Sequence, residues 1–380
     1  SQPTAASSQP TAASSQPTAA GSQPTKNNEQ SSLVPAPGTA ARYAGIEPHP
    51  TFQYGGDFRL ALYSPLGGGE DKKTAIFPMQ TDLYLAARPY NPDALNEGRV
   101  TLLVSSGALG SRDEEFDGFA DRFFVREWYA MYHDLPYQMY ARAGRFLPAH
   151  GWRLDDHTGF IRQGQMIMGL PFDHERQITG LEIGINPNYA YGHLSVFNMA
   201  DHWDSPVDGD CGYGVSGAGG WRDLGWHAGG SLIYGNRAAL KKGDCGSKGE
   251  VPEWNQIAAS LQWALNLHFY SDLLPLVYLG EYHLNHTKVA DSADPTIGLS
   301  AFHELGWLIM QGLNATIRYD WADNNIDFRY DSMHRINIGF EWYPVPFLEI
   351  VTRYRHNWLH TDDRFKFDAD EFMLMLHGWY

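Results

Sequence analysis

The stretches Leu313-Asn314-Ala315-Thr316-Ile317-Arg318-Tyr319-Asp320-Trp321 and His334-Arg335-Ile336-Asn337-Ile338-Gly339-Phe340-Glu341-Trp342 decide the fold. In the first, Leu313, Ala315, Ile317, Tyr319 and Trp321 alternate with Asn314, Thr316, Arg318 and Asp320. In the second, Ile336, Ile338, Phe340 and Trp342 alternate with Arg335, Asn337, Gly339 and Glu341. A two-residue period puts every second side chain on the same face of an extended chain, so both stretches read as strands with one apolar and one polar face.

The same period extends outward from this pair. Phe52, Tyr54, Phe58, Leu60 and Leu62 oppose Gln53, Gly55, Asp57, Arg59 and Ala61. Ile257, Ala259, Leu261, Trp263, Leu265, Leu267 and Phe269 oppose Ser260, Gln262, Asn266 and His268. A soluble sandwich would also alternate, so three further features select a barrel that crosses a membrane. The alternating segments run to about ten residues, enough for a tilted transmembrane strand. Aromatics gather at segment ends, at Trp321, Trp342 with Tyr343, Trp358, and Trp379 with Tyr380, as interface girdles require. Connections alternate in length: short turns near 271–272, 311–312 and 343–346, and long loops near 285–300, 322–332 and 357–370. Strands are expected to start near 52, 76, 98, 120, 136, 159, 178, 189, 224, 256, 273, 301, 313, 333, 346 and 371. The fold class is therefore all-β: an antiparallel transmembrane barrel over 46–380, with about sixteen strands, short periplasmic turns, long external loops and both termini periplasmic. Asp57, Arg59, Arg318, Asp320, Arg335 and Glu341 then face the lumen.

Composition agrees. Of 380 residues, 14% are aromatic and only 19% charged, and no run of about eighteen apolar residues offers a transmembrane helix. A mean hydropathy of -0.40 is no obstacle, because lumen-facing and lipid-facing residues cancel in any window. The net charge of -16 argues against nucleic acid, whose phosphates need clustered Lys and Arg.

Residues 1–45 stand apart. SQPTAAS at Ser1 and Ser8, SQPTAAG at Ser15 and SQPTKNN at Ser22 form a seven-residue repeat without apolar a and d positions. That excludes a coiled coil and predicts a disordered periplasmic tail. The chain opens on Ser with no visible leader, which reads as an exported chain whose signal peptide has been removed. Cys211 and Cys245 lie in GDCGYG and GDCGSK and are a candidate disulfide. The strand starts above put 200–223 on the short-turn side and Cys245 on the other. Three alternatives stay open: Asn186-Pro187-Asn188 is not a turn, a strand near 213–220 is missing, or the cysteines are unpaired.

The C-terminal run Phe372-Met373-Leu374-Met375-Leu376-His377-Gly378-Trp379-Tyr380 puts Phe372, Leu374, Leu376 and Tyr380 on one face and ends on an aromatic. It resembles the C-terminal assembly signal of outer-membrane barrels, with Gly378 where a bulky residue is usual. Ala143-Gly144-Arg145-Phe146-Leu147-Pro148-Ala149-His150-Gly151 is similar to the Gly-Arg/Gln-Phe…Pro…Gly segment of general and phosphate-selective porins, at the start of the loop that folds inward. The resemblance implies a pore constriction lined by Arg153, Asp155, Asp156 and His157, with Arg142, Arg145 and Arg162 as an opposing basic wall, and a trimer.

Asp155-Asp156-His157 also resembles the carboxylate and histidine pairs of outer-membrane proteases. Those pairs sit on separate strand tops, and consecutive loop residues rarely converge on one atom. No segment matches a lipase Ser-His pair, so no catalytic residue is assigned. Asp201-His202-Trp203-Asp204, His283 with His286, and His356 with His360 have ligand-like spacings, but no metal is assigned. There is no haem-attachment motif and no cofactor is expected. The leading function is a porin-like channel for passive diffusion of small hydrophilic or ionic solutes, with membrane lipid around it. The alternative is a scaffold sheathing a partner such as a multihaem cytochrome in an electron conduit.

Overall fold

The computed structural model describes residues 52–66, 74–88, 100–109, 123–152, 159–161, 166–167, 170–171, 177–187, 189–198, 212–239, 241, 250, 252–290, 294–328, 332–359 and 367–380. The expected N-terminal tail, 1–45, lies outside them. In chain order the strands are β1 (Phe52–Pro65), β2 (Ala75–Ala87), β3 (Val100–Leu109), β4 (Phe123–Leu135), β5 (Met139–Phe146), β6 (Met166–Ile167), β7 (Leu170–Pro171), β8 (Ile178–Ile185) and β9 (Ala190–Asn198). They continue with β10 (Tyr213–Arg222), β11 (Trp226–Arg237), β12 (Trp254–Asn266), β13 (Leu276–Val289), β14 (Thr296–Met310), β15 (Leu313–Asp323), β16 (Met333–Val345), β17 (Leu348–Leu359) and β18 (Phe367–Trp379). All but β6 and β7 close into one antiparallel barrel of sixteen strands, each paired with its chain neighbour; β6 and β7 form a separate small hairpin. Among the described residues no helix is long and apolar enough to cross a membrane.

Closure rests on the C-terminal strand. β18 pairs with β17 on one side and β1 on the other, from Asp57↔Trp379 to Pro65↔Glu371. Gly56 and Tyr380 exchange backbone hydrogen bonds of 3.1 and 3.0 Å, and the Tyr54 and Tyr380 rings meet at 5.8 Å. His377 stands across the seam with one ring nitrogen 2.7 Å from Asp57 and the other 2.7 Å from Glu349.

Polarity runs opposite to that of a water-soluble core. Phe52, Leu83, Leu181, Leu232, Leu261 and Ile338 are exposed on the outside, whereas Arg59, Glu182, Glu281, Arg318, Asp320 and Arg335 are buried on the inside. Connections at one rim are mostly short, with 136–138, 186–189, 223–225, 311–312 and 346–347 joining successive strands; 88–99 and 267–275 are the longer ones. Gly312 takes a positive φ of 80° in its two-residue turn, where a Cβ would come within 3.0 Å of the Tyr343 carbonyl. The opposite rim carries 66–74, 110–122, 147–177, 199–212, 238–253, 290–295, 324–332 and 360–366.

Two of the expected strand positions are corrected. The residues near 159 belong to the long connection between β5 and β8, not to the wall, and 213–222 is a wall strand that the expected list lacks. β10 reads Tyr-Gly-Val-Ser-Gly-Ala-Gly-Gly-Trp-Arg, and glycine disfavours strands because it gains no side-chain packing there. Neighbouring aromatics supply that packing. Gly214 pairs with Phe197 and Gly220 with Tyr191, and a Cβ on Gly214 would lie 2.1 Å from the Phe197 ring. With β10 counted, the connections that hold Cys211 and Cys245 leave from the same rim; both cysteines lie outside the described residues. Two further corrections concern bounds. β12 stops at Asn266, whose side chain accepts from Phe269 N at 3.3 Å and starts a 3-10 turn over Leu267–Phe269. The expected loop 285–300 is mostly strand, because β13 runs to Val289 and β14 starts at Thr296.

This packing predicts that Gly214→Val, which drives side-chain atoms into Phe197, costs about 1–3 kcal/mol. It should lower the urea midpoint of the detergent-folded barrel. Gly217→Ala, whose nearest neighbour would be 3.8 Å away, should leave the midpoint unchanged.

Candidate functional site: a loop pinned across the lumen

The chain leaves β5 at Phe146 and turns inward. At the root of this loop, Arg142 ion-pairs with Glu182 at 2.8 Å, donates to the Leu147 carbonyl at 3.2 Å and lies 4.1 Å over the Phe146 ring. Leu147 N donates to Glu127 at 2.9 Å. Glu182 also accepts from Tyr140 at 2.7 Å and Ser195 at 2.7 Å, so a fully buried carboxylate has three partners on the two strands that flank its own.

From that root the loop steps around the inner wall. The Ala149 carbonyl accepts from Ser216 of β10 at 3.3 Å. His150 Nδ1 and Ser231 Oγ of β11 are 3.0 Å apart, and Gly151 N donates to the same hydroxyl at 3.0 Å. Trp152 N donates to Glu281 of β13 at 2.9 Å, and its indole N–H donates to the Gly280 carbonyl at 3.0 Å. β13 is six strands round the wall from β5, so residues 147–152 cross the lumen rather than follow its edge. The Trp152 ring lies 4.7 Å from that of His227, and the His150 ring 5.3 Å from that of His283.

The far side of the loop docks through apolar groups. Trp152, Ile161 and Phe302 of β14 form a buried cluster with Ala264 and Leu279 packed against it. Phe160 lies 4.2 Å below the Arg335 guanidinium, and Phe302 lies 4.7 Å below that of Arg318. Both arginines converge on Asp320, Arg318 at 2.7 Å and Arg335 at 3.3 Å, and Asn337 adds a 2.7 Å hydrogen bond. A buried carboxylate with this many donors is compensated, and it fixes two guanidinium planes as a platform for the aromatic rings.

Beyond the docking face the inner wall is a mosaic of opposite charges. Arg59 pairs with Asp57 at 3.1 Å, Arg126 with Asp82 at 2.6 Å and Arg353 with Glu341 at 3.4 Å.

Among solved structures, the chain is similar to the anion-selective porin from Comamonas acidovorans, with a TM-score of 0.61 at 10% identity over 87% of this chain and 99% of that one. It is similar to outer-membrane expressed OmpT of Vibrio cholerae, with a TM-score of 0.60 at 9% identity, covering 87% and 97%. The outer membrane channel DcaP of Acinetobacter baumannii gives 0.57 at 13% identity, again covering 87% and 97%. This is the sixteen-stranded porin fold. No protein-family model and no curated protein sequence matches the chain.

Within the porin fold, the six residues expected to face the lumen, Asp57, Arg59, Arg318, Asp320, Arg335 and Glu341, are on the inner face, and each takes part in an ion pair there. Arg142 sits at the loop root. Arg145 is half-buried and opposes Trp128 and Thr179 at the rim end of β5. Arg153, Asp155, Asp156, His157 and Arg162 fall outside the described residues. The metal-like spacing of His283 and His286 dissolves on β13, because positions three apart point to opposite faces. Asp201, His202, Trp203, Asp204 and His360 lie outside the described residues. Glu127, Glu182 and Glu281 on the wall, and Trp152, Phe160 and Ile161 in the loop, were not singled out by sequence. The two-residue period marks Glu281 as inward-facing, but nothing local ties it to a backbone N–H 129 positions away.

Glu281 is therefore expected to be the main latch of the loop. Glu281→Leu strips the acceptor from Trp152 N and from Ser260, which donates at 2.6 Å, at a cost of about 1–3 kcal/mol. Limited proteolysis of the folded protein should then cut within 147–177, where wild type resists.

Proposed function

We propose that the chain is an outer-membrane channel for the passive diffusion of small hydrophilic or ionic solutes. The observation that carries this reading is the segment 147–152, drawn across a polar lumen and fastened to β10, β11 and β13. A closed barrel of sixteen strands encloses more space than its own side chains fill, and a pinned loop divides that space without requiring a partner. The apolar outer face suits membrane lipid, with the short-turn rim and both termini in the periplasm. The neighbours' names support the class: one is an anion-selective porin and another an outer membrane channel. A third is described in a trimer form, which supports a trimer here as well.

The constriction is assigned to Arg153, Asp155, Asp156 and His157 on the loop, facing Arg142, Arg145 and Arg162. Fixed charges beside a low-dielectric wall focus their field across a narrow passage. The balanced inner mosaic adds little net charge to that field, so ion preference belongs to the loop. The cytochrome-sheath alternative is less favoured, because the loop takes up the volume that a threaded partner would need. Cys211 and Cys245 are proposed to pair and staple two neighbouring external loops.

Planar-bilayer recording of the purified protein tests this reading. Ohmic conductance is expected without any partner. Arg153→Ala and Asp155→Ala should shift the reversal potential in opposite directions in a salt gradient, and Glu281→Leu should raise conductance and current noise. A protein that inserts but never conducts would end the channel reading. Maleimide labelling after denaturation without reductant should find both cysteines blocked, and after reduction should find both reactive.

A further inference from the structure

The seam of the barrel holds a charge arrangement that the channel reading does not use. His377 of β18 places Nε2 2.7 Å from Asp57 of β1 and Nδ1 2.7 Å from Glu349 of β17. Both are hydrogen-bond distances, and each needs a proton between nitrogen and oxygen. A neutral imidazole carries a single N–H and presents a lone pair at its other nitrogen. A lone pair that close to a carboxylate oxygen is repelled by it. His377, Asp57 and Glu349 together therefore hold one proton more than a neutral ring and two carboxylates supply.

The surroundings put that proton on the ring. On β1, Arg59 donates to the second oxygen of Asp57 at 3.1 Å. On β16, Tyr343 donates to the second oxygen of Glu349 at 2.7 Å. A guanidinium and a phenol bond more strongly to an anion than to a neutral carboxyl group, so both carboxylates stay charged and the imidazole is the cation. Asp82 of β2 stands opposite Asp57 and pairs with Arg126 at 2.6 Å. Glu341 of β16 pairs with Arg353 of β17 at 3.4 Å. Each of these two carboxylates is answered by its own arginine, which leaves His377 to answer Asp57 and Glu349. Its side chain keeps only 12% of its surface open, and the Trp379 ring lies 4.9 Å away, so water does not readily replace either contact.

We infer that protonated His377 is a pH-sensitive clasp on barrel closure. Through one side chain it ties the last strand to both of its neighbours near the short-turn rim. Loss of the proton turns one of its two contacts into a repulsion and frees the end of β18 from one flanking strand. Above about pH 6.5 the imidazole of an unfolded chain is mostly neutral, so closing the seam takes up a proton there. The stability that the clasp contributes is complete below about that pH and is lost as pH rises past the point where the closed seam gives up its proton. The inference rests on closure of the barrel and not on conduction through it.

Two measurements on the full chain folded in detergent test it. The first compares unfolding rates in urea for wild type and Asp57→Asn. The Asn amide can donate to Nε2, so a neutral ring satisfies both contacts and the clasp no longer needs its extra proton. From about pH 6 to about pH 9, the ratio of wild-type to variant unfolding rates should rise about tenfold. A ratio that stays constant overturns the clasp. The second is nitrogen NMR of protein labelled at histidine, with His377→Gln identifying the His377 signals. Both ring nitrogens of His377 should carry protons at about pH 7, where a free imidazole is mostly neutral. An unprotonated ring nitrogen at that pH also overturns the clasp, because the extra proton then belongs to a carboxyl group.

Discussion

Every backbone N–H and C=O in a membrane must find a partner within the protein, because the hydrocarbon offers none. For strands this demand has one solution, a sheet without edges. Here the demand is met at the β1–β18 seam, where a ladder from Asp57↔Trp379 to Pro65↔Glu371 joins the first and last strands of the barrel. The seam joins residues more than 300 positions apart, so its pairing comes only after the intervening sheet can form. That gives the C-terminal strand unusual weight. Its inner face supplies His377, bridging the carboxylates of β1 and β17, and Tyr380, the residue after it, supplies the Tyr54 contact.

Closure also decides where polarity must go. With the outside apolar, the described charges of the wall gather at the rims and inside, and the inner ones answer one another along and across strands. Asp320 with Arg335, Glu182 with Arg142 and Glu341 with Arg353 are pairs that the ladder brings together, whereas Asp320 with Arg318, and Asp57 with Arg59, stand two residues apart on one strand. Such a lining is stable without being sticky for one sign of ion. The loop is held by a different set of interactions, mainly backbone N–H groups on Glu281 and Ser231 and rings on guanidinium planes.

Most of the wall was legible in the sequence because a period of two survives wherever one face must be apolar. The faces that this period assigns to Phe52–Leu62, Leu313–Trp321 and Ile336–Trp342 are the faces seen. β10 was not legible for a physical reason: its inner positions Gly214 and Gly220 leave their packing to Phe197 and Tyr191 on the next strand, so the strand shows little hydrophobicity of its own. The segment near 159 misled in the opposite way. Phe160 and Ile161 are apolar, as a strand would require, but they are buried inside the barrel against Arg335 and Phe302. Omitting one strand and adding another kept the count at sixteen while reversing the side assigned to the connections between them, which is why the two cysteines seemed to lie on opposite rims. The Ala143–Gly151 resemblance located the root of the inward loop. It could not reveal Glu281 as the latch, since that contact exists only once β13 has taken its place on the wall.

The loop exposes a consequence of turning a protein inside out. A water-soluble domain uses its core to position its loops, but a barrel with a polar interior has no such core to lend. This chain builds a small one where it is needed. Trp152 and Ile161 close on Phe302, Leu279 and Ala264, and the surrounding polar groups satisfy the backbone that enters it. Apolar contact alone would let the segment slide along the wall, because dispersion forces are weakly directional. The Trp152 hydrogen bonds to Glu281 and Gly280 remove that freedom, since each fixes a donor on one atom of one strand. Position comes from the polar contacts and holding power from the apolar ones. A constriction needs both if its width is to be a property of the protein rather than an average over loop positions.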